Sequence, residues 1–167
     1  MIKCSRCSPL GVIKFNTDGA YSSSCSKAAF GVIARDSGGS ARWWFSGRVV
    51  ATSALFVEAW ALRIACLAAK DMGLVEAVFE SDCLQLIKGI QASISDCDWE
   101  VYAIVRDIQQ LSKDRSWSFV WCSRTKNRAA HWLAQNAQAR ILSSLYLPCI
   151  PAGLLSVINA DVRTVTT

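Results

Sequence analysis

Three strand-like segments follow one another near the start of this chain, before any helical pattern occurs. Apolar and polar residues alternate over Val12–Asp18, and Gly19 ends this first segment. Two further segments, Ala28–Arg35 and Ala41–Val50, flank the glycine-containing turn Asp36–Gly39. Alternation with period two is typical of strands, and glycines in a short turn permit a hairpin. The order predicts an antiparallel meander of three strands.

Helical and strand patterns alternate after the meander. Thr52 or Ser53 can cap a long helix that runs to about Met72, with Gly73 as its stop. The apolar segment Val75–Ser81 predicts a strand that is buried on both faces and therefore parallel to its neighbours. This order of elements, β-β-β-α-β-α-α-β-α, predicts a mixed sheet with helices on its faces. The remaining predicted elements are helices over Leu84–Gln91, Trp99–Ser112 and Asn127–Leu142, and a strand over Trp117–Cys122.

The length of 167 residues suits one domain with its own core. We expect a flexible lead-in over residues 1–10, a domain over 11–142 and an irregular tail over 143–167, which contains Pro148 and Pro151. The longest apolar stretch, Ala54–Ala69, is interrupted by charges and too short to cross a bilayer comfortably, so we expect no membrane association. The amino end lacks the apolar segment of a secretory signal, which indicates an intracellular protein without distinguishing nucleus from cytoplasm.

Cysteine content and charge constrain the function only weakly. The eight cysteines are scattered, and the one close pair is Cys4 and Cys7. A structural zinc site needs four ligands, and the chain offers no second pair and only one histidine, so we interpret the cysteines as core thiols. The formal net charge of +5 favours an anionic partner, but only weakly.

Three acidic residues occupy positions where an acid is locally unexpected. Asp18 ends the first strand, Asp82 follows the fourth, and Glu58 shares a helix face with apolar residues. Acids that converge near one sheet edge need a cation to balance them, and oxygen ligands suit Mg²⁺ or Mn²⁺. Two such ions would stabilise both oxygens of a displacement at phosphorus. Taken singly, Glu58 could favour the helix dipole from the first turn and Asp82 could be an N-cap. Together, the three predict a metal cluster.

The segments around these acids resemble those of a known family. Residues 16–20, 58–62 and 80–82 are similar to the motifs of type 1 ribonuclease H, and nearest to its plant, reverse-transcriptase-like branch, which is akin to the ribonuclease H of retroelements. Residues 124–134 resemble that branch's signature Arg-x-x-Asn-x-x-Ala-Asp/His-x-Leu-Ala. The likeness runs from about residue 11 to residue 142, and the four motifs occur in the family's order.

The resemblance implies an α/β, ribonuclease H-like fold with a five-stranded mixed sheet, in the order 3-2-1-4-5, flanked by helices. It implies an endonuclease that cleaves the RNA strand of RNA–DNA hybrids with two Mg²⁺ ions, for which Mn²⁺ could substitute. Asp18 would bridge both ions, while Glu58 and Asp82 would hold one side, and a metal-oriented water would attack the phosphate to leave a 5′-phosphate and a 3′-hydroxyl. Contacts to 2′-hydroxyl groups would distinguish RNA from DNA. The residues implied in nucleic-acid binding are Gly19, Ala20, Ser81, Arg124, Lys126, Asn127 and Arg128.

Two features depart from the family pattern. His131 stands where type 1 enzymes have a fourth acid, and a neutral imidazole would leave one ion more weakly held, although it can ligate or shuttle a proton. We count His131 with the three acids as a catalytic residue, but it could equally begin a buried helix face. Residues 95–100 are acidic where bacterial members carry a basic handle, so hybrid binding would depend on the basic cluster of Arg124, Lys126 and Arg128.

Three functional hypotheses remain open on the sequence. The first is an active hybrid-specific ribonuclease, which the intact acids favour. The second is a nucleic-acid-binding domain of the same fold with little or no turnover, which His131 and the acidic stretch favour. The third is a retroelement-derived unit that works only beside a polymerase domain. We expect a monomer whose partner is an RNA–DNA hybrid or another nucleic acid.

Overall fold

The computed structural model describes residues 11–23, 27–139 and 150–163. Its strands are β1 (Ile13–Ser22), β2 (Lys27–Arg35), β3 (Ala41–Val49), β4 (Glu76–Ser81) and β5 (Ser116–Trp121). Its helices are α1 (Ala54–Asp71), α2 (Leu84–Gln91), α3 (Tyr102–Ser112), α4 (Arg128–Gln138) and α5 (Ala152–Arg163). Short 3-10 turns cover Ile94–Asp96 and Arg124–Lys126.

The five strands form one sheet in the order β3-β2-β1-β4-β5. β1 pairs antiparallel with β2, and β2 pairs antiparallel with β3, as expected for a meander. β4 pairs parallel with both β1 and β5. The predicted fold class and strand order are therefore confirmed. The sheet is mixed, antiparallel from β3 to β1 and parallel from β1 to β5.

β1 is longer than predicted. It does not end at Gly19 but continues to Ser22, because its pairing with β2 continues from Gly19 opposite Phe30 to Ser22 opposite Lys27. The neighbouring strand β4 ends at Ser81, which lies opposite Thr17. Asp18 is thus inside β1 but beyond the carboxyl end of β4, where one side of β1 has no paired strand.

A row of phenylalanine rings lies in the core beneath this strand end. Phe15, Phe79 and Phe119 are register partners on β1, β4 and β5. The ring centroids of Phe15 and Phe79 are 5.1 Å apart, and those of Phe79 and Phe119 are also 5.1 Å apart. These rings belong to the larger core cluster, which lies between the sheet and helices α1, α2 and α3. They fix the relative positions of three strands a few residues before the site.

The opposite face of the sheet is covered by α4, with α5 packed against it. Gly31 of β2 permits this close approach, because a Cβ at Gly31 would lie 2.4 Å from the carbonyl oxygen of Ala130 and 2.6 Å from Cβ of Leu133. A second, smaller core cluster fills this layer, with Ile33, Trp44 and Leu133 among its buried members. The start of α4 is thereby held against β1 and β2.

The expectation of an irregular tail is wrong for residues 152–163, which form α5. Pro151 does not prevent this helix but directly precedes its first residue, and its carbonyl oxygen accepts from the Leu155 N–H over 2.9 Å. Leu154 and Ile158, four residues apart on one face, are buried in the second core cluster. Pro148, the predicted lead-in and the Cys4–Cys7 pair lie outside the described residues.

Two other helices are shorter than expected. α3 begins at Tyr102 and not at Trp99, because residues 99–101 form a turn, and α4 begins at Arg128, with residues 140–142 of the prediction outside the described part. Among the helices that the structure describes, none is both long and apolar enough to cross a membrane.

Candidate active site and nucleic-acid interface

Three carboxylates meet at the carboxyl end of β4. Each of Asp18, Glu58 and Asp82 offers an oxygen, and these oxygens all lie within 4.8 Å of one another. Asp18 comes from β1, Glu58 from α1 and Asp82 from the residue after β4. The predicted convergence of the three acids is confirmed.

Gly19 allows Glu58 to reach this cluster. A Cβ at Gly19 would lie 2.9 Å from the backbone nitrogen of Glu58 and 3.0 Å from a methyl group of Val57, so only glycine lets α1 lie this close to β1. The Gly19 N–H also donates a hydrogen bond to the Glu58 carboxylate. Ser53 caps α1 by accepting from the Phe56 N–H over 3.1 Å. The first turn of α1 holds no acid, so the alternative of Glu58 as a first-turn residue is wrong.

Asn127 holds Asp82 in place from the start of α4. Its Nδ2 donates to the Thr17 carbonyl oxygen over 2.8 Å and to Asp82 Oδ1 over 3.3 Å. The side chain therefore joins α4, β1 and the end of β4. The N-cap of α2 is Cys83, which makes no side-chain capping bond, so the alternative of Asp82 as an N-cap is also wrong.

The bare cluster resists full ionisation. The pKa of Asp18 is raised from 3.8 to about 6: burial is the main cause, the charge of Asp82 adds to the rise, and the hydrogen bond with His131 opposes it. Burial, followed by the charges of Asp18 and Asp82, raises the pKa of Glu58 well above its ordinary value. A cation between the carboxylates would remove this penalty. The all-oxygen donor set fits a hard divalent ion such as Mg²⁺ or Mn²⁺.

His131 contacts the cluster through Asp18. Its Nδ1 lies 2.9 Å from Asp18 Oδ2, and its side chain is 34% exposed. His131 lies in the first turn of α4, where its N–H donates to the Asn127 carbonyl oxygen over 3.0 Å. The side chain is thus directed at the carboxylates, and the alternative of a buried helix face does not describe it.

The residues predicted to bind nucleic acid fall into two groups. Arg124 and Arg128 are exposed, and Lys126 and Gly19 are half-buried. Ala20, Ser81 and Asn127 are buried, so their side chains face the interior. Ser81 contacts Glu58, with Oγ 3.5 Å from Oε2, and Asn127 holds Asp82. Nucleic-acid contacts from these three would have to come from backbone atoms.

A buried polar network beside the cluster was not predicted. Asn16 Nδ2 donates to Glu80 Oε2 over 2.9 Å, and Asn16 Oδ1 accepts from Arg35 Nη2 over 2.7 Å. Lys14 lies 3.5 Å from the same Glu80 oxygen, and Arg35 pairs with Asp161 of α5 over 3.4 Å. The sequence feature that could have indicated this network is the series of polar residues at positions 14, 16 and 18, which alternation places on one face of β1. Asn16 and Glu80 each lie two residues before a cluster carboxylate, and so the network fixes β1 against β4 there.

Solved structures that are similar to this chain include ribonucleases H. The ribonuclease H1 of the archaeon Halobacterium salinarum is 21% identical, with a TM-score of 0.71 over 78% of this chain and 99% of that one. The N-terminal ribonuclease H domain of a Mycobacterium tuberculosis protein is 15% identical, with a TM-score of 0.70 over 77% of this chain and 94% of that one. LC11-RNase H1, solved in complex with an RNA/DNA hybrid, is 22% identical, with a TM-score of 0.69 over 78% of this chain and 99% of that one. The fold is therefore that of ribonuclease H.

The chain belongs to the reverse transcriptase-like family, whose model matches residues 16–137. This match includes all three cluster acids and His131. A comparison with curated proteins found no match.

Proposed function

We propose that this protein cleaves the RNA strand of RNA–DNA hybrids. The observation that carries the proposal is the convergence of Asp18, Glu58 and Asp82 within 4.8 Å at the carboxyl end of β4, in a ribonuclease H fold. One structural neighbour is a ribonuclease H1 solved with a hybrid bound, which supports the same class of substrate here.

The three carboxylates, Asp18, Glu58 and Asp82, would hold the divalent ions. Bound Mg²⁺ would supply Lewis-acid activation of a water and charge stabilisation at phosphorus, and a pair of ions would do so for both the attacking and the leaving oxygen. The chain's own residues orient the ligands: Asn127 and Ser81 hydrogen-bond to Asp82 and Glu58, and the Gly19 N–H donates to Glu58. These contacts fix the oxygens before any ion binds.

His131 would act on the side of Asp18. At 2.9 Å from Asp18 Oδ2, it can hold that carboxylate in place and exchange a proton with it or with a nearby water. Phosphates of the substrate would be bound by Arg124 and Lys126, in the 3-10 turn before α4, and by Arg128, the first residue of α4. Residues 96, 98 and 100 are acidic, so we place no phosphate contact on that loop.

Binding without turnover is the second candidate, and one observation favours it. His131 occupies the fourth-acid position and already pairs with Asp18, so this side of the cluster has one negative charge fewer than in type 1 enzymes. A unit that depends on a separate polymerase domain would behave in the same way in isolation. The monomeric state, the intracellular location and the plant or retroelement origin stay predictions.

A cleavage assay separates these candidates. The full chain is incubated with Mg²⁺ or Mn²⁺ and, in parallel, with labelled RNA–DNA hybrid, single-stranded RNA, double-stranded RNA and DNA. We expect products with a 5′-phosphate from the RNA strand of the hybrid alone, a rate that falls steeply with added salt, and no cleavage by Asp18→Asn. Binding of the hybrid with no product under either ion would contradict nuclease activity and support the binding domain. Product formed only after a polymerase domain is added would indicate the dependent unit.

A further inference from the structure

Trp121 is an exposed aromatic residue beside the carboxylate cluster. It is the last residue of β5, and 47% of its surface is exposed. Its indole Nε1 donates to the backbone carbonyl oxygen of Asp82 over 3.1 Å. Its backbone lies opposite Ser81, and the next residue, Cys122, donates from its N–H to the Ser81 carbonyl oxygen over 3.0 Å. The ring is therefore anchored next to the site by its polar edge, and a large part of its surface remains in solvent.

Trp117, on the same strand, shows what an indole with only a structural role looks like here. Its Nε1 also donates to a backbone carbonyl oxygen, that of Leu74, over 3.1 Å. Its ring, however, packs against Phe79 with centroids 5.1 Å apart and joins the main core cluster. Residues four positions apart on a strand lie on the same face, so the two tryptophans share one face of β5. They differ in how much of each ring is covered by other side chains. Trp121 thus leaves more of its indole exposed than the half-buried Trp117 does, and this exposed surface is available to a ligand beside the cluster.

The groups around Trp121 match the parts of a nucleotide. The carboxylate cluster lies on one side of it, and the exposed Arg124 follows three residues later in the chain. The 3-10 turn that contains Arg124 leads directly to Asn127, whose side chain contacts Asp82. A cation suits a phosphate, whereas an anchored indole offers a flat apolar surface for a base or sugar.

We infer that Trp121 contacts the substrate: the exposed part of its indole packs against the sugar and base of a nucleotide next to the phosphate held at the cluster. The inference rests on the proposed function, because it takes the substrate to be a nucleic acid bound at these carboxylates. Trp121 would contribute to affinity and to the choice of nucleotide at that position. It would not take part in the chemical step.

Three variants test this contact. Trp121→Ala removes the ring, Trp121→Phe keeps an aromatic ring but loses the hydrogen bond to Asp82, and Trp117→Phe loses the equivalent bond at the other end of β5 as a matched control. Hybrid binding is measured by fluorescence anisotropy in EDTA, and KM and kcat are measured with Mg²⁺. We expect Trp121→Ala to raise Kd and KM about tenfold with little change in kcat. Trp121→Phe should recover most of this affinity, and Trp117→Phe should bind like the wild type.

The alternative outcomes are distinct. Equal affinity of Trp121→Ala and wild type would overturn the inference. It would also be overturned if Trp121→Ala and Trp121→Phe both lost kcat but kept their affinity, because the residue would then only hold Asp82 in place. Thermal unfolding checks that each variant is folded. If Trp121→Ala does not fold, quenching of tryptophan emission by the hybrid is measured in the other proteins. We expect less quenching in Trp121→Phe than in wild type and Trp117→Phe. Equal quenching in wild type and Trp121→Phe would then overturn the inference. A wild type that binds hybrid without cleaving it leaves this comparison intact, whereas a wild type that binds no hybrid removes both proposals.

Discussion

Asp18 shows how a residue suited to catalysis can oppose folding. It is only 2% exposed and lies within the central strand, where burial and the neighbouring Asp82 raise its pKa to about 6. Its negative charge therefore destabilises the metal-free folded chain at neutral pH. His131 offsets part of this effect through its contact with Asp18, and a divalent ion would offset more.

We predict that Asp18→Asn raises the stability of the metal-free protein at pH 7. Because the pKa is raised from 3.8 to about 6, the folded state between those two pH values still holds a proton that the unfolded chain has released. The stability gained from this proton is complete below about pH 4 and is lost as the pH rises through about 6, an effect of roughly 1–3 kcal/mol. Urea unfolding in EDTA at pH 7 and pH 4.5 measures it, and the difference between variant and wild type should be larger at pH 7. A variant less stable than wild type at pH 7 would refute this electrostatic account.

We also predict that His131→Asp lowers the Mg²⁺ concentration needed for half-maximal cleavage by severalfold or more. A carboxylate about 4 Å from a divalent ion gains several kcal/mol of attraction even at an effective dielectric of about 20, less its desolvation cost. The same change should destabilise the metal-free protein, because a fourth negative charge would replace the partner of Asp18. His131→Ala is the control: if the imidazole shuttles a proton, this variant should cut the rate near pH 7 without changing metal dependence. Unchanged rates and metal dependence in both variants would make His131 a packing residue.

Glycine sets how closely the helices approach the sheet on both of its faces. Gly19 lies against Val57 and Glu58 of α1, and Gly31 lies against Ala130 and Leu133 of α4. α1 carries Glu58 and α4 carries His131, so these two contacts determine how near each functional side chain comes to Asp18. The spacing between these helices and the sheet therefore assembles the site.

We predict that Gly19→Ala reduces both stability and metal affinity. The added methyl group would lie 2.9 Å from the Glu58 nitrogen and must displace α1, which we expect to cost about 1–3 kcal/mol. Gly89→Ala in α2 is the matched control, since its nearest neighbour would be Cys97 Sγ at 3.9 Å, and alanine is favoured within a helix by up to about 1 kcal/mol. Thermal unfolding and Mn²⁺ titration measure the two effects. Equal stability of the two variants would show that α1 can move freely.

Local patterns predicted the elements, and pairing across the sheet explains what they missed. The bounds of α2, Leu84–Gln91, agree with the prediction, and the three acids were identified because each stands at an unusual place in its own segment. The pairing of Asn16 with Glu80 depends on the register of β1 and β4, 64 residues apart in sequence, which no local pattern encodes. The sequence pattern does not predict α5, because Pro148 and Pro151 favour an irregular tail, although proline suits a helix start and Leu154 and Ile158 have helical spacing.

The whole molecule is a sheet between two helical layers, and the layer of α4 and α5 also carries charge. Asp161 of α5 pairs with Arg35 over 3.4 Å and with Arg128 over 3.9 Å. Arg35 in turn donates to Asn16, which bonds to Glu80. The C-terminal helix is thus connected to the strand pair that carries Asp18 and Asp82.

We predict that Asp161→Asn lowers the free energy of unfolding by about 1–3 kcal/mol, because it leaves the buried Arg35 without its carboxylate. Arg42→Gln removes the pair between Arg42 and Asp36, in which the arginine is 64% exposed, and should cost at most about 1 kcal/mol. Urea unfolding of both variants makes the comparison. Equal losses would mean that α5 contributes no more than a surface ion pair does.

The central claim is that three carboxylates form one divalent-metal site for hybrid cleavage. The most direct test measures Mg²⁺-dependent cleavage of a hybrid with a labelled RNA strand by Asp18→Asn, Glu58→Gln and Asp82→Asn. The control is Asp71→Asn, an exposed acid at the far end of α1, about 20 Å along the helix from Glu58. We expect each cluster variant to lose activity on the order of 100-fold or more, since several kcal/mol of charge stabilisation would be lost, while the control keeps wild-type activity. Undiminished cleavage by Glu58→Gln or Asp82→Asn would contradict the claim.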